Sequence, residues 1–152
     1  MKKQWIVFTA AFLMLSSIII AQTQTTTGVI GKLYTKDQAN QIYGPVLQSI
    51  SINTTSLSAL AAKTPNYIMF NILNGQVVIL NSYRSVLYGP MTAVSASQVF
   101  RVFSTSIVNQ LIQQGGSPTT NIELRANNTL TVSNGEETLE MSYTCPPICP
   151  SN

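Results

Sequence analysis

Residues 121–143 read NIELRANNTLTVSNGEETLEMSY, and their alternation decides the fold class. Ile122, Leu124 and Ala126 alternate with Asn121, Glu123 and Arg125. Leu130 and Val132 alternate with Thr129, Thr131 and Ser133. Leu139, Met141 and Tyr143 alternate with Thr138, Glu140 and Ser142. A period of two with one apolar set marks strands that have one core face and one wet face. Asn127-Asn128 and Asn134-Gly135 supply the turns, because Asn and Gly tolerate the left-handed backbone of a tight hairpin. The stretch therefore predicts a three-stranded antiparallel meander. On that register Glu136, Glu137 and Glu140 belong to a solvated face, which is a simpler reading than a calcium or catalytic carboxylate cluster.

Working outward, Tyr67 to Ile72 is rich in β-formers, Asn74-Gly75 is a hairpin signal, and Val77 to Leu80 is the return strand. The unbroken apolar run of that return strand predicts burial on both faces. Ser85 to Tyr88 predicts a third strand, ended by Gly89-Pro90. Between this hairpin and the meander, Val99, Phe103, Ile107 and Leu111 recur every four residues, with Phe100, Val108 and Ile112 beside them. That spacing predicts an amphipathic helix of about five turns, capped by Ser95 or Ser97 and closed by Gly115-Gly116 and Pro118. Towards the N-terminus, Thr35 with Gln38 three residues on predicts a capped helix through Tyr43, stopped by Gly44-Pro45. Val46 to Ile52 predicts a short strand, and Thr54 or Thr55 is expected to cap a second helix over Ser56 to Lys63. The expected architecture is one α+β domain: an antiparallel sheet of about five strands, with hairpin and meander connections. The long helix packs on one face, and short helices precede it. This order of elements resembles profilin-like and Roadblock-type folds, a likeness of element order that carries no function.

The chain opens with Met1-Lys2-Lys3, an apolar run from Trp5 to Ala21, and then Gln22-Thr23-Gln24-Thr25-Thr26-Thr27. A charged start, an apolar stretch and a small residue at the junction are the parts of a signal peptide. Cleavage after Ala21 is expected, as in a bacterial exported protein; a retained anchor is the alternative. The organisation that follows is a signal peptide over 1–21 and a flexible Thr/Gln-rich linker over 22–31. A single domain over 32–143 and a Pro/Cys-rich tail over 144–152 complete it. Beyond Ala21 the cations are Lys32, Lys36, Lys63, Arg84, Arg101 and Arg125; the anions are Asp37, Glu123, Glu136, Glu137 and Glu140. The cations are scattered, whereas nucleic acid and anionic membranes call for a basic cluster. Neither is expected as a partner once the leader is removed. Ser, Thr, Asn and Gln make up 52 of the 131 residues after Ala21, so the surface is polar through hydrogen-bonding groups rather than charge.

The chain has no histidine and two cysteines. A Ser-His-Asp triad, a histidine acid/base, a histidine-ligated metal and a four-thiolate zinc site are excluded within one chain. No phosphate-binding loop or dinucleotide fingerprint is present, and no cofactor is expected. The chemically loaded segment is Thr144-Cys145-Pro146-Pro147-Ile148-Cys149-Pro150. Its prolines fix φ and bias their neighbours to extended backbone. In an oxidising compartment two thiols are expected to oxidise. Four fates stay open: a local Cys145–Cys149 disulfide, a bridge between chains, soft-metal binding, and thiol–disulfide exchange. The segment resembles the antibody hinge, Thr-Cys-Pro-Pro-Cys-Pro, with Ile148 inserted, and that resemblance implies a disulfide-linked dimer. It also resembles the Cys-Pro-x-Ile/Val-Cys-Pro loop of the Sco/SenC copper chaperones. That resemblance implies Cu(I) at Cys145 and Cys149, with Met141 as a thioether neighbour. The distant histidine ligand of that family has no counterpart here.

Asn53-Thr54-Thr55 and Asn127-Asn128-Thr129 are glycosylation sequons, expected to be inert in a bacterium. Tyr34, Tyr43, Tyr67, Tyr83 and Tyr88 are expected mostly in the core or at its boundary. The function expected from this reading is a non-enzymatic exported module, at the cell surface or in the periplasm, that binds an unknown protein or cell-surface partner. The alternative is a thiol-redox or Cu(I)-handling protein acting through its tail.

Overall fold

The computed structural model of the protein describes residues 28–147 and residue 149. The expected signal peptide and residues 22–27 of the expected linker lie outside the described residues. Four strands and two helices come first: β1 (Lys32–Thr35), α1 (Lys36–Tyr43), β2 (Val46–Asn53), α2 (Thr54–Ala61), β3 (Tyr67–Leu73) and β4 (Gln76–Asn81). Then follow β5 (Val86–Tyr88), β6 (Phe100–Ser104), α3 (Thr105–Gly115), β7 (Thr119–Arg125), β8 (Leu130–Asn134), β9 (Glu137–Glu140) and β10 (Tyr143–Cys145). The α+β class stands, but the single expected sheet is two. One has the order β1-β9-β8-β7-β2 and the other β10-β6-β3-β4-β5, each with five strands and antiparallel throughout.

The inner faces of the two sheets meet in one core. Ile122, Leu130, Val132 and Leu139 come from the first sheet, and Ile68, Phe70, Val77, Ile79 and Phe103 from the second. Leu57 and Ala61 of α2 and Val108 and Leu111 of α3 complete it. Phe70 and Phe103 meet edge to face, with ring centroids 6.0 Å apart. The second sheet is buried on its other face too. There Met69, Val78, Leu80, Phe100, Val102 and Cys145 form a second core, covered by Ile30 and by Met91 and Val94 of the irregular segment after β5. This is why Val77 to Leu80 reads as an unbroken apolar run.

The expected five-turn helix is the main correction. Residues 95–99 are irregular, Phe100–Ser104 is a strand, and helix begins only at Thr105. Phe100 and Val102 fill one core and Phe103 the other, because β6 lies between β3 and β10 with both faces covered. The fourfold spacing of Val99, Phe103, Ile107 and Leu111 thus bridges a strand and a helix and belongs to no single element. Paired β-branched and aromatic residues outweigh a helical period that tertiary context does not support.

The meander is present as β7, β8 and β9, but its third strand is cut short. Met141 has φ +67°, and beyond it the chain leaves the first sheet and joins the second as β10. Met141 and Tyr143, expected on the core face, are instead more than half exposed. At the other end, α1 carries the expected capping box, with the Gln38 N–H donating to Thr35 Oγ1 and the Thr35 N–H to Gln38 Oε1. Helix α2 starts two residues earlier than expected. Its cap is Asn53, whose Oδ1 accepts the Ser56 N–H, because Thr54 is buried and bonded to Thr120. Residues 28–31, grouped with the flexible linker by composition, are docked. Ile30 exchanges two hydrogen bonds with Ser104, and Gly31 (φ +116°) lies so close to Leu139 that a β-carbon would approach it to 2.9 Å. Among the described residues no helix is long and apolar enough to cross a membrane.

Candidate functional site

The tail builds its site from β10 and one arginine. Tyr143, Thr144 and Cys145 pair with Val102, Arg101 and Phe100, so the strand extends past the expected domain end and buries Cys145 completely. Cys145 and Cys149 are joined by a disulfide, with Cα atoms 4.7 Å apart. Cys149 lies on the exposed side. The pair is therefore asymmetric: one sulfur belongs to the core and the other to a residue open to solvent.

Arg84 is the residue that sequence reading missed. It sits in the turn after β4 with φ +62°, where Asn81 Oδ1 accepts the Tyr83 and Ser85 N–H groups. The guanidinium donates to the Cys145 carbonyl at 3.0 Å, the Gln98 carbonyl at 2.8 Å and the Ser95 carbonyl at 3.1 Å. Its Nη1 also lies 3.3 Å from Cys145 Sγ, and its Cζ stands 5.5 Å from the centre of the Phe100 ring. It thus ties the tail and the segment after β5 to the turn. No sequence signal pointed to it: 61 residues separate it from Cys145. Met141, the expected thioether neighbour, is exposed at the crossover between the sheets. With the two sulfurs bonded to each other, neither is a thiolate open to a soft metal. Among the described residues no three metal-ligating side chains are grouped.

A second polar group lies on the outer face of the first sheet, under α1. Glu123 and Arg125, read as wet-face residues, are buried there, and so is Glu140. The solvated-face expectation therefore holds for Glu136, which is exposed and 3.8 Å from Lys36, and fails for Glu140. The reason is α1, which returns over the sheet and turns its wet face into an interior. Arg125 is 1% exposed; it donates to Glu123 at 3.0 Å, Thr131 at 2.9 Å, Asn40 at 2.8 Å and the Gly44 carbonyl at 3.1 Å. Glu123 also accepts from Ser133 at 2.7 Å and Thr131 at 3.2 Å. Glu140 accepts from the Met141 N–H and from Ser142 Oγ, and holds the bend there. Burial, a hydrogen bond with Tyr34 and the Glu140 carboxylate push the Tyr43 hydroxyl above the ordinary tyrosine range. Every polar atom of Glu123 and Arg125 is committed to a neighbour in this arrangement, which suits holding α1 on the sheet.

The third feature is the open side of the molecule. Strand β2 is the edge of the first sheet and runs for eight residues, Val46–Asn53, with no charge and no proline. Edge β1 carries Lys32, and edges β5 and β10 have three residues each. Leu47 is 68% exposed, and Ile42 of α1 is exposed as well. Alongside, a groove of about 560 Å³ is lined by Ile50, Val77, Leu87, Tyr88 and Pro90, so it runs between the β2 edge and the β4–β5 side of the other sheet. Of the tyrosines considered from sequence, Tyr83 and Tyr88 are exposed, while Tyr34, Tyr43 and Tyr67 are half-buried. The sequon asparagines serve locally: Asn53 caps α2 and Asn127 Oδ1 accepts the Thr129 N–H. No protein-family model, curated protein or solved structure matches the chain.

Proposed function

We propose that this chain is a non-enzymatic exported interaction module that binds an extended protein segment along β2. The observation that supports the reading is the eight-residue uncharged edge beside a groove whose lining mixes apolar side chains with Gln76 and two glycines. Edge strands carry unpaired backbone N–H and C=O groups, and proteins ordinarily blunt long ones with lysine, proline or a cover. Here the blunting amounts to one irregularity of register between Val46 and Gln48. A partner strand would pair with the backbone, while every second side chain drops into the groove at Ile50 and Val77. The fitting partner is an extended segment with alternating apolar residues and little charge, since no charge on β2 would select an ionic one. The Cys145–Cys149 disulfide supports an oxidising compartment, in line with the leader-like N-terminus.

The test is a display selection of random octapeptides on the folded mature chain. Enriched peptides should alternate apolar and polar residues, protect the β2 amides from hydrogen exchange, and lose binding to Leu47→Lys/Ser49→Lys. Both changes are at exposed positions, and thermal melting should show each variant folded. Binders that protect other elements, or that ignore the two lysines, would refute the reading. For export, fractionated protein should begin at Gln22; mature protein retaining Trp5 would contradict it.

A further inference from the structure

We propose that the Cys145–Cys149 disulfide exchanges with external thiols, with Cys149 as the sulfur attacked and Cys145 as the leaving group received by Arg84. This goes beyond strand pairing at β2 and rests on a different part of the molecule. Three observations carry it. The two sulfurs differ in access, since Cys145 is fully buried and Cys149 is exposed. The Arg84 guanidinium is within 3.3 Å of Cys145 Sγ. Its other partners are the neutral carbonyls of Cys145, Ser95 and Gln98, and among the described residues no carboxylate pairs with it.

The chemistry follows from those positions. An external thiolate places its electron pair on Cys149 Sγ and forms a mixed disulfide. The Cys145–Cys149 bond breaks, and its electron pair leaves on Cys145 as a thiolate. A thiol departs faster the better its thiolate is stabilised, and an adjacent guanidinium in a buried setting does this. If the donor carries a second thiol, that thiol attacks its own sulfur in the mixed disulfide and releases Cys149 as a thiol. The donor then holds a disulfide, and the protein has taken up two electrons and one proton, which sits on Cys149; the first donor proton went to solvent when the thiolate formed, and Cys145 remains a thiolate beside Arg84. A donor with one thiol stays attached until Cys145 attacks Cys149 and expels it. Cys145 is registered against Phe100 in β10, so its strand pairing does not run through the disulfide. The substrate class is a thiol able to approach an exposed cysteine, whether a small molecule or a cysteine of an unfolded protein.

The test uses the full mature chain. Dithiothreitol should reduce the wild-type disulfide about tenfold faster than that of Arg84→Met, with Arg84→Lys between them, as expected when the leaving thiolate loses its guanidinium neighbour. The single-cysteine variants supply an independent readout. In Cys149→Ser, the thiolate absorbance of Cys145 should titrate below the ordinary value of about 8.5 and rise when Arg84→Met is added. In Cys145→Ser, oxidised glutathione should load Cys149 readily, whereas Cys149→Ser should stay unmodified. Reduced glutathione and a reduced unfolded ribonuclease, compared as donors, separate the two sources. Exchange with either is the expected result. Equal reduction rates across the Arg84 series in variants that melt like wild type would overturn the proposal. So would a Cys145 titration that ignores Arg84.

Discussion

Arg125→Met is the perturbation that most directly probes how α1 is held. The change keeps an aliphatic stem in a site where Arg125 is 1% exposed and removes its donors to Glu123, Thr131, Asn40 and Gly44. It leaves the Glu123 carboxylate buried with only the Thr131 and Ser133 hydroxyls. Removing one partner of a buried pair costs about 3–5 kcal/mol, since an uncompensated charge stays behind. Against a typical stability of about 5–15 kcal/mol this is a large share. It should lower the melting temperature by more than about 6 °C, at roughly 2–8 °C per kcal/mol. Glu123→Leu should cost a similar amount by stranding the guanidinium. The double variant strands neither charge; it leaves the Thr131 and Ser133 hydroxyls, the Asn40 amide oxygen and the Gly44 carbonyl short of a partner, at about 1 kcal/mol for each that stays buried. It should therefore be more stable than either single variant. The assay is guanidinium unfolding of all four proteins at pH 7, with hydrogen exchange on α1. Because Asn40 and Gly44 lie in and just after α1, its amides should lose protection first in Arg125→Met. Additive costs, or a double variant less stable than both singles, would show that the pair is not an isolated buried unit.

Other perturbations follow from the same packing. Phe103→Ala should cost about 3–5 kcal/mol by denaturant unfolding, because the ring is fully buried against Phe70. Asn134→Ala should cost about 2–3 kcal/mol, as its fully buried amide joins Thr54, Ser117, Thr119 and Thr120 around the turn. Gly115→Ala should be worse than its helix position suggests, since its β-carbon would collide with the Asn134 carbonyl oxygen; thermal melting checks it. The raised pKa of Tyr43 means that the folded state holds its proton more tightly than the unfolded state, where tyrosine titrates near about 10. Its contribution is complete below that value and falls as pH rises above it. Tyr43→Phe should then flatten the alkaline loss of stability, measured by urea unfolding between pH 8 and 11.

What the sequence made legible was whatever depended on neighbours along the chain. The hairpin at Asn74-Gly75, the hairpin after β8 (whose turn is Gly135-Glu136, one residue on from the expected Asn134-Gly135), the capping box at Thr35 and Gln38, and the doubly buried Val77 to Leu80 are local patterns, and local chemistry enforces them. Phe100 to Ser104 was illegible for a definite reason. A strand with apolar residues on both faces leaves no alternation, and its junction with α3 mimics a helical stripe. Glu123, Arg125 and Glu140 sit on the outward face their spacing assigns them. Only the return of α1 over that face makes them interior, and nothing in a strand's own residues reports what covers it. Arg84 was hidden likewise, its role set by a cysteine that reaches it through the β3–β6–β10 pairing.

Charge is scarce in this chain, and the structure places much of it inside or against backbone. Of the six cations beyond Ala21, Arg125 is buried in an ion pair and Arg84 is bound to three carbonyls. Of the five anions, Glu123 and Glu140 are buried, and Glu136 is paired with Lys36. Among the described residues Lys32, Lys63, Asp37 and Glu137 have no such role, and Arg101 reaches one carbonyl, Asn128, at 3.5 Å; these charges are few and of both signs. Long-range steering needs a field of one sign, so the proposed partner of a surface like this would be held by short-range contact instead. An uncharged edge strand is suited to that, since its directional groups are backbone amides and carbonyls that salt barely screens. Binding along β2 should therefore change little between low and physiological salt. A steep loss of affinity with added salt would move the search for the partner surface away from β2 and towards the remaining lysines and Arg101.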